Sequence, residues 1–354
     1  MLAARWWGRD DVRVEDIDDP GDPPAGWVRL RVQACGICGT DVEEYTSGPV
    51  IIPTAPHPLT GCMPPLTLGH EAVGIVESRG EGTTLEVGTP VAVESNLFCG
   101  RCWWCRRGEY QLCPDLASLG LMGDGGLAEV MLAPEYMCIP FSTDVSAEQA
   151  ALAEPLSVAV RAVTRAGIGL GSTVTVLGAG TVGLLTVQAA RLAGARIVVA
   201  VERLPERRAL AQQLGADLAV SPEDAAEAVV DATDGLGPDV AIEVAGNAAA
   251  AAAAVRLLRP GGRAVLLGVF DDTVPIDMVD FLMHEKTVTT SLSHVYDQDF
   301  TNAVSLIDRG AVQLDPLVTD RISLAEVIEK GFKALVAEPG EHLKVVVLPN
   351  GRAA

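Results

Sequence analysis

The middle of the chain contains the run Val174-Thr175-Val176-Leu177-Gly178-Ala179-Gly180-Thr181-Val182-Gly183, which leads into an apolar stretch over 184–192. The first four residues predict a strand, and the apolar stretch predicts a helix. Glycines spaced as G-x-G-x-x-G between a strand and a helix let backbone amides approach a pyrophosphate, which the helix N-terminus also attracts. We therefore predict a dinucleotide site. Its candidate contacts in this turn are Gly178, Gly180, Thr181, Val182 and Gly183.

The strand that follows, over 196–201, ends in Glu202, where a ribose-binding acid is expected. A carboxylate at this point accepts hydrogen bonds from the adenosine ribose hydroxyls and repels a 2′-phosphate, which favours NAD over NADP. The nearby Arg203, Arg207 and Arg208 keep NADP open, because an arginine pairs well with a 2′-phosphate. Arg207 is in addition a candidate for the adenine side of the site.

The pattern of predicted elements divides the chain. Residues 1–140 contain short β-rich segments broken by Gly and Pro, whereas helices and apolar strands alternate over 148–293, as in a parallel sheet. After residue 293 the pattern is mixed again. We predict an α/β protein with a β-rich domain over 1–157, a doubly wound parallel sheet over 158–293, and a return to the first domain over 294–354.

Composition limits the possible functions. The 354 residues suggest two domains, and the formal net charge of −21, from 26 basic and 47 acidic residues, argues against a nucleic-acid partner. No apolar run approaches the roughly 20 residues that cross a membrane. The N-terminal residues lack the layout of a signal peptide. We therefore expect a cytoplasmic protein that acts on a small molecule.

Four of the eight cysteines lie in one short segment, the lobe over 95–115. Their spacing is Cys99-x2-Cys102-x2-Cys105-x7-Cys113. Four thiolates close a tetrahedral shell around zinc and leave no open position, which is typical of a structural site. Disulfides are the alternative, and a reducing compartment disfavours them.

A second group of metal-ligating residue types is spread along the first half of the chain. The turn Cys35-Gly36-Ile37-Cys38-Gly39-Thr40-Asp41 places the thiol of Cys38 beside the hydroxyl of Thr40, a candidate metal ligand beside a candidate proton carrier. Gly69-His70-Glu71 and Glu154-Pro155-Leu156 offer further nitrogen and oxygen ligands for zinc. A redox pair of Cys35 with Cys38 is the alternative, but the flanking sequence lacks its usual βαβ setting.

Together these motifs resemble the zinc-dependent medium-chain alcohol dehydrogenases, and the resemblance covers essentially the whole chain. Narrower stretches resemble the (R,R)-butanediol dehydrogenases and the polyol, or sorbitol-type, dehydrogenases within that family. These stretches are Tyr45, Gly48-Pro49, Ile52-Pro53, Pro56-His57-Pro58-Leu59-Thr60-Gly61, Lys330-Gly331-Phe332 and His342-Leu343-Lys344-Val345.

The resemblance implies a GroES-like catalytic domain built from both chain ends, a Rossmann domain between them, an active site in the interdomain cleft, and a homodimer or homotetramer. It implies two zinc ions per chain, with Cys38, His70 and Glu154 as ligands of the catalytic one. Glu71 is implied as a group that either binds this zinc ion, in exchange with water, or lies directly behind its ligands, and Thr40 as the residue that takes the proton. Further implied cofactor contacts are Gly268, Val269 and Ser291.

The implied reaction is NAD-dependent oxidation of a vicinal diol, or reduction of an α-hydroxyketone in reverse. Glu43 departs from the pattern, because close butanediol dehydrogenases usually carry a histidine there, and Glu43 is thus a candidate for the outer end of the proton relay. Because of this departure, a second hypothesis is that the protein is a tailoring dehydrogenase, which oxidises a larger secondary alcohol, sugar or polyol in a biosynthetic pathway. A non-enzymatic NAD-binding sensor is a third hypothesis, which loss of zinc ligands would favour.

Overall fold

The computed structural model describes residues 1–270, 272–338 and 340–351, which form two compact units. The first unit combines residues 1–154 with the chain from 295 onward, and the second contains residues 155–294. Among the helices so described, none is long and apolar enough to cross a membrane.

The first unit is rich in short strands. Its N-terminal strands are β1 (Leu2–Gly8), β2 (Asp11–Asp16), β3 (Trp27–Gly36), β4 (Leu66–Thr67), β5 (Glu71–Arg79), β6 (Pro90–Val93), β7 (Asn96–Leu97), β8 (Ala117–Ser118), β9 (Val130–Pro134) and β10 (Cys138–Pro140). Its helices in this part are α1 (Gly39–Ser47) and α2 (Ala147–Ala150), and α3 (Ala153–Ala166) begins at the end of it. Strand β3 buries alternate side chains, from Val28 to Ala34, as expected of a strand that has one face in a core.

The second unit alternates strands and helices. These are β11 (Thr173–Leu177), α4 (Thr181–Leu192), β12 (Ile197–Val201), α5 (Pro205–Gln213), β13 (Leu218–Val220), α6 (Ala225–Ala232), β14 (Val240–Glu243), α7 (Ala248–Leu257), β15 (Arg263–Leu266), α8 (Met278–Met283) and β16 (Thr287–Thr290). All strand pairs are parallel, in the order β13-β12-β11-β14-β15-β16. Every residue of β11 is buried, because helices cover both faces of such a sheet.

The C-terminal segment completes the first unit through α9 (Thr301–Asp308), β17 (Val318–Ser323), α10 (Ala334–Ala337) and β18 (Lys344–Leu348). The largest sheet of that unit has the order β10-β6-β5-β3-β18-β17, and β9 also pairs with β3. In this sheet Gly36 of β3 lies opposite Glu71 of β5 on one side and Val346 of β18 on the other. The predicted α/β class, with a β-rich part and a parallel sheet, is therefore confirmed.

Candidate active site

Three candidate ligands lie together in the first unit. Cys38 immediately precedes helix α1, His70 precedes β5, and Glu71 is the first residue of β5. One possible ligand atom from each lies within 4.8 Å of those from the other two. A thiolate, an imidazole and a carboxylate are the donors that zinc takes in catalytic sites. Glu154 is outside this tight group and lies, largely buried, in the first turn of α3.

The buried carboxylate of Asp41 contacts two members of this group. Its Oδ2 accepts a hydrogen bond of 2.9 Å from the backbone N–H of Cys38, and its Oδ1 lies 3.4 Å from Nδ1 of His70. Burial lowers the pKa of His70, but the charges of Asp41 and Cys38 outweigh burial and raise that pKa well above its ordinary value. The surroundings of His70 thus favour positive charge at this point. A carboxylate at Nδ1 leaves Nε2 of His70 for a metal, as in many zinc sites.

Lys344, to which the sequence predicted no role in the site, holds the carboxylate of Glu71. Its Nζ lies 2.6 Å from Oε1 and 2.7 Å from Oε2 of Glu71, and it also donates to the carbonyl of Ile37 at 3.0 Å. Lys344 is only 4% exposed and Glu71 is fully buried. Burial lowers the pKa of Lys344, and the charges of Glu71 and Cys38 more than compensate, so the net pKa is raised. The ammonium form of Lys344 is therefore favoured beside Glu71.

Gly36 provides the space for this ion pair. A Cβ atom at Gly36 would lie 1.9 Å from Oε2 of Glu71, far inside van der Waals contact. The resemblance left open whether Glu71 binds the metal directly. In the structure both oxygens of Glu71 contact Lys344, so direct binding of zinc competes with the ion pair.

The two predicted proton-transfer residues lie on α1. Thr40 is half-buried in the first turn, and its Oγ1 lies 3.8 Å from Sγ of Cys38. Glu43 is half-buried one turn further along the helix. The hydroxyl of Thr40 therefore lies beside the candidate ligand Cys38.

The four-cysteine lobe forms a second candidate metal centre. All four Sγ atoms lie within 4.8 Å of one another, and all eight cysteines of the chain are free thiols. Backbone N–H groups point at the sulfurs, for example from Cys102 to Cys99 at 3.4 Å and from Cys105 to Cys102 at 3.4 Å. The amide of Arg101 contributes most to lowering the pKa of Cys99 to about 7, whereas burial raises the pKa of Cys105 and of Cys113. Amide donors stabilise thiolates, which are the form that binds zinc.

The glycine turn has the geometry that close approach of a ligand to backbone requires. Gly178 has a φ of +108°, and helix α4 begins at Thr181, which places Gly183 inside its first turn. A Cβ atom at Gly183 would lie 2.1 Å from the carbonyl oxygen of Gly178. The carboxylate of Glu202 accepts hydrogen bonds from the amides of Ala179 at 2.8 Å and Leu204 at 3.0 Å. Glu202 is therefore fixed next to the turn.

The other predicted cofactor residues lie in the same unit. Gly268 and Val269 follow β15, and Ser291 follows β16, so all three are at the carboxyl edge of the sheet, as is the glycine turn after β11. Val269 is exposed and Ser291 is buried, while Arg207 is half-buried on α5. Ligands of open α/β sheets bind at this edge.

The chain matches two family descriptions, "Alcohol dehydrogenase GroES-like domain" over residues 24–143 and "Zinc-binding dehydrogenase" over residues 181–309. Together with full-length relatives above 30% identity, these matches show that the chain belongs to the zinc-binding alcohol dehydrogenase family and is an alcohol oxidoreductase. The two units correspondingly have the GroES-like and Rossmann-like folds that the resemblance implied.

Several relatives match over nearly their whole length. The (R,R)-butanediol dehydrogenase of Bacillus subtilis is 37% identical, covering 99% of this chain and 100% of the relative. A crystal structure of the 2R,3R-butanediol dehydrogenase from that species has a TM-score of 0.91 and covers 99% of both chains. The L-threonine 3-dehydrogenase of Pyrococcus furiosus is 33% identical, covering 98% of this chain and 97% of the relative. A zinc-binding dehydrogenase of Sinorhizobium meliloti bound to NADP is 34% identical, with a TM-score of 0.89, and covers 98% of this chain and 99% of that one.

The buried ion pair leads to a prediction about stability. Lys344→Met should lower the free energy of unfolding by about 3–5 kcal/mol, because it leaves the buried charge of Glu71 unpaired. Urea unfolding of the purified chain measures this loss. The matched control is Lys330→Met, which removes an exposed lysine paired with Glu326 and should change stability little. Adding Glu71→Gln to Lys344→Met should restore part of the loss, and equal stability of Lys344→Met and wild type would contradict the prediction.

Proposed function

We propose that the protein interconverts a vicinal diol such as 2,3-butanediol and the corresponding α-hydroxyketone, with zinc and NAD(H). The observation that carries this proposal is the full-length similarity to butanediol dehydrogenase, in a chain that keeps the ligand types of a catalytic zinc site together at Cys38, His70 and Glu71. The same similarity favours a small diol over the larger secondary alcohol.

The chain's own residues have distinct roles in this proposal. Cys38, His70 and Glu154 would hold the catalytic zinc, while Asp41 orients the first two of them. A bound zinc ion supplies Lewis acidity toward the alcohol oxygen, and a bound nicotinamide supplies the hydride acceptor. Thr40 takes the alcohol proton, because a hydroxyl donates and accepts hydrogen bonds at once.

The donor set fits a divalent cation. Cys38, Glu71, Asp41 and Glu154 contribute negative charge when ionised, and Lys344 neutralises only part of it. We further propose a second zinc ion in the lobe, where the four thiols of Cys99, Cys102, Cys105 and Cys113 match a closed structural shell.

For the cofactor we propose NAD rather than NADP. Glu202 is held by two backbone amides at the end of β12, so its charge is fixed where a ribose hydroxyl would bind. A 2′-phosphate at that point meets a carboxylate that cannot swing away without losing those bonds. Arg208 does not offset this charge freely, since its Nη1 donates to the carbonyls of Glu202 and Arg203.

We propose a homo-oligomer in which β16 and α8 contribute to the interface. Strand β16 is the last strand at one edge of the described parallel sheet. The short helix α8 before it exposes four large apolar side chains, and contiguous exposed apolar groups beside a sheet edge are typical of protein contacts. They are Met278, Val279, Leu282 and Met283.

A substrate panel tests the proposed reaction. We expect initial rates with 2,3-butanediol stereoisomers and with acetoin to exceed those with sorbitol and L-threonine, measured on zinc-loaded protein by NADH absorbance. A bulkier secondary alcohol that turns over orders of magnitude faster than the simple diols would replace the proposed substrate by the larger one. No turnover of any alcohol would argue against the whole proposal.

Metal analysis tests the two zinc sites. We expect two zinc ions per chain, with the ion bound by Cys38 and His70 lost first to a chelator, because an open coordination position admits it. Cys113→Ser should chiefly lower stability, whereas Cys38→Ser should abolish turnover and leave the fold largely intact. Cys138→Ser is the control, since the buried thiol of Cys138 donates to the carbonyl of Pro134 and belongs to neither described ligand group. One zinc ion or none in undamaged protein would refute the proposal.

Kinetics with both cofactors test the NAD preference. We expect a higher kcat/KM with NAD than with NADP, and Glu202→Ala should raise the relative use of NADP because it removes the repulsion of a 2′-phosphate. Glu206→Ala, on the exposed surface of α5, serves as the control for charge removal near the site. Equal or better kcat/KM of the wild-type protein with NADP is the opposing result.

The proton path is tested on α1. Thr40→Val should reduce kcat by about 10²–10⁴ as expected for a lost proton-transfer partner, whereas Thr46→Val, which removes a hydroxyl bonded to the carbonyl of Val42, should not.

The pH profile tests the role of Glu43. A histidine in place of Glu43 would make activity depend on an ionisation near pH 6.5. The activity of the wild-type protein should therefore show no such change near pH 6.5. A clear loss of kcat in Glu43→Gln places Glu43 at the outer end of the relay, and wild-type rates at every pH exclude it.

A further inference from the structure

Glu243 is a buried carboxylate that none of the roles described above uses. It is the last residue of β14 and is fully buried. Its Oε1 accepts a hydrogen bond of 2.7 Å from the amide of Gly246, and its Oε2 accepts one of 3.2 Å from the amide of Gly268. Burial raises the pKa of Glu243, and the amides of Gly246, Gly268, Ala245 and Asn247 oppose that shift. The carboxylate thus connects two loops, one after β14 and one after β15.

These two loops are packed backbone against backbone. A Cβ atom at Gly268 would lie 2.4 Å from Cα of Gly246 and 2.8 Å from Oε2 of Glu243. The loop after β14 in turn contacts the glycine turn, because a Cβ atom at Gly178 would lie 3.0 Å from the amide nitrogen of Ala245. Small shifts of Glu243 would therefore move Gly268 and its neighbour Val269.

The order of strands assigns these loops to one half of a dinucleotide. The glycine turn follows the central strand β11 and receives the pyrophosphate, and Glu202 at the end of β12 marks the adenosine side. Strands β14 and β15 lie on the other side of β11. The loops that Glu243 connects are thus on the side of β11 opposite Glu202, where the nicotinamide half of a dinucleotide would lie.

We propose that Glu243 is a positioning residue, which fixes the backbone of residues 245–247 and 268–269 so that it receives the nicotinamide half of the cofactor. This inference rests on the proposed use of NAD(H). A carboxylate suits the role because it only accepts hydrogen bonds and can serve several amides at once. A glutamine at this position would replace one acceptor oxygen by an NH2 group. That group would face a backbone N–H of one of the two loops, so one hydrogen bond would be lost.

The test compares a ligand that has the nicotinamide half with one that lacks it. Glu243→Gln should weaken NADH binding about tenfold, as expected for one lost bond to a charged group, and should change the affinity for ADP less than about twofold. Dissociation constants come from calorimetry on zinc-loaded protein, and the melting temperature is measured without cofactor. The control is Glu227→Gln, an exposed glutamate on α6 of the same unit, which should change neither affinity.

Gly268→Ala provides a second variant that does not depend on Glu243→Gln being folded. Its added Cβ displaces the same loop, so it should also weaken NADH but not ADP, and the two substitutions combined should be less than additive. Equal losses of NADH and ADP affinity, or unchanged NADH affinity in a folded variant, would overturn the role of Glu243. A wild-type protein that binds ADP but neither NADH nor NADPH would instead overturn the proposed cofactor.

Discussion

The candidate zinc site depends on a buried ion pair between Lys344 and Glu71, residues 273 positions apart in the chain. Removing two charges from water costs several kcal/mol per ion, so the pair is tolerated only because both carboxylate oxygens and a backbone carbonyl satisfy the ammonium group. This geometry exists only when β18 lies beside β3 and Gly36 leaves room. The C-terminal strand is thus required for the electrostatics of a site whose other members come from the first half of the chain.

Lys344 also limits how negative that site becomes. The thiol of Cys38 and the carboxyl groups of Glu71 and Asp41 lie close together in a region of low dielectric, where like charges repel strongly, and the ammonium group of Lys344 offsets such repulsion. Burial lowers the pKa of His70, and the charges of Asp41 and Cys38 more than offset that effect.

Sequence reasoning predicted those features of the fold whose residues lie a few positions apart. The strand, glycine turn and helix around residue 178 are present as β11, the turn and α4, and the four thiols of the lobe lie within 4.8 Å of one another. That these groups bind a cofactor and zinc stays a prediction. Sequence reasoning missed Lys344 and Asp41 as parts of the site. Lys344 acts through a strand pairing that no local pattern reveals, and Asp41 looks the same as any acid in the first turn of a helix.

Glu71, Glu202 and Glu243 show why composition alone could not locate the function. The chain has 47 acidic residues, and most of them face solvent, where a charge has little effect on structure. These three differ because the fold supplies donors to them, a lysine for Glu71 and backbone amides for Glu202 and Glu243. Glu202 and Glu243 lie at the carboxyl ends of β12 and β14, the two strands that flank β11 in the parallel sheet, where successive loops converge. A carboxylate at the end of one strand fixes a neighbouring loop, because it accepts hydrogen bonds from the backbone amides of that loop. An acid on the surface does not fix a loop in this way, because water satisfies its oxygens equally well in any position.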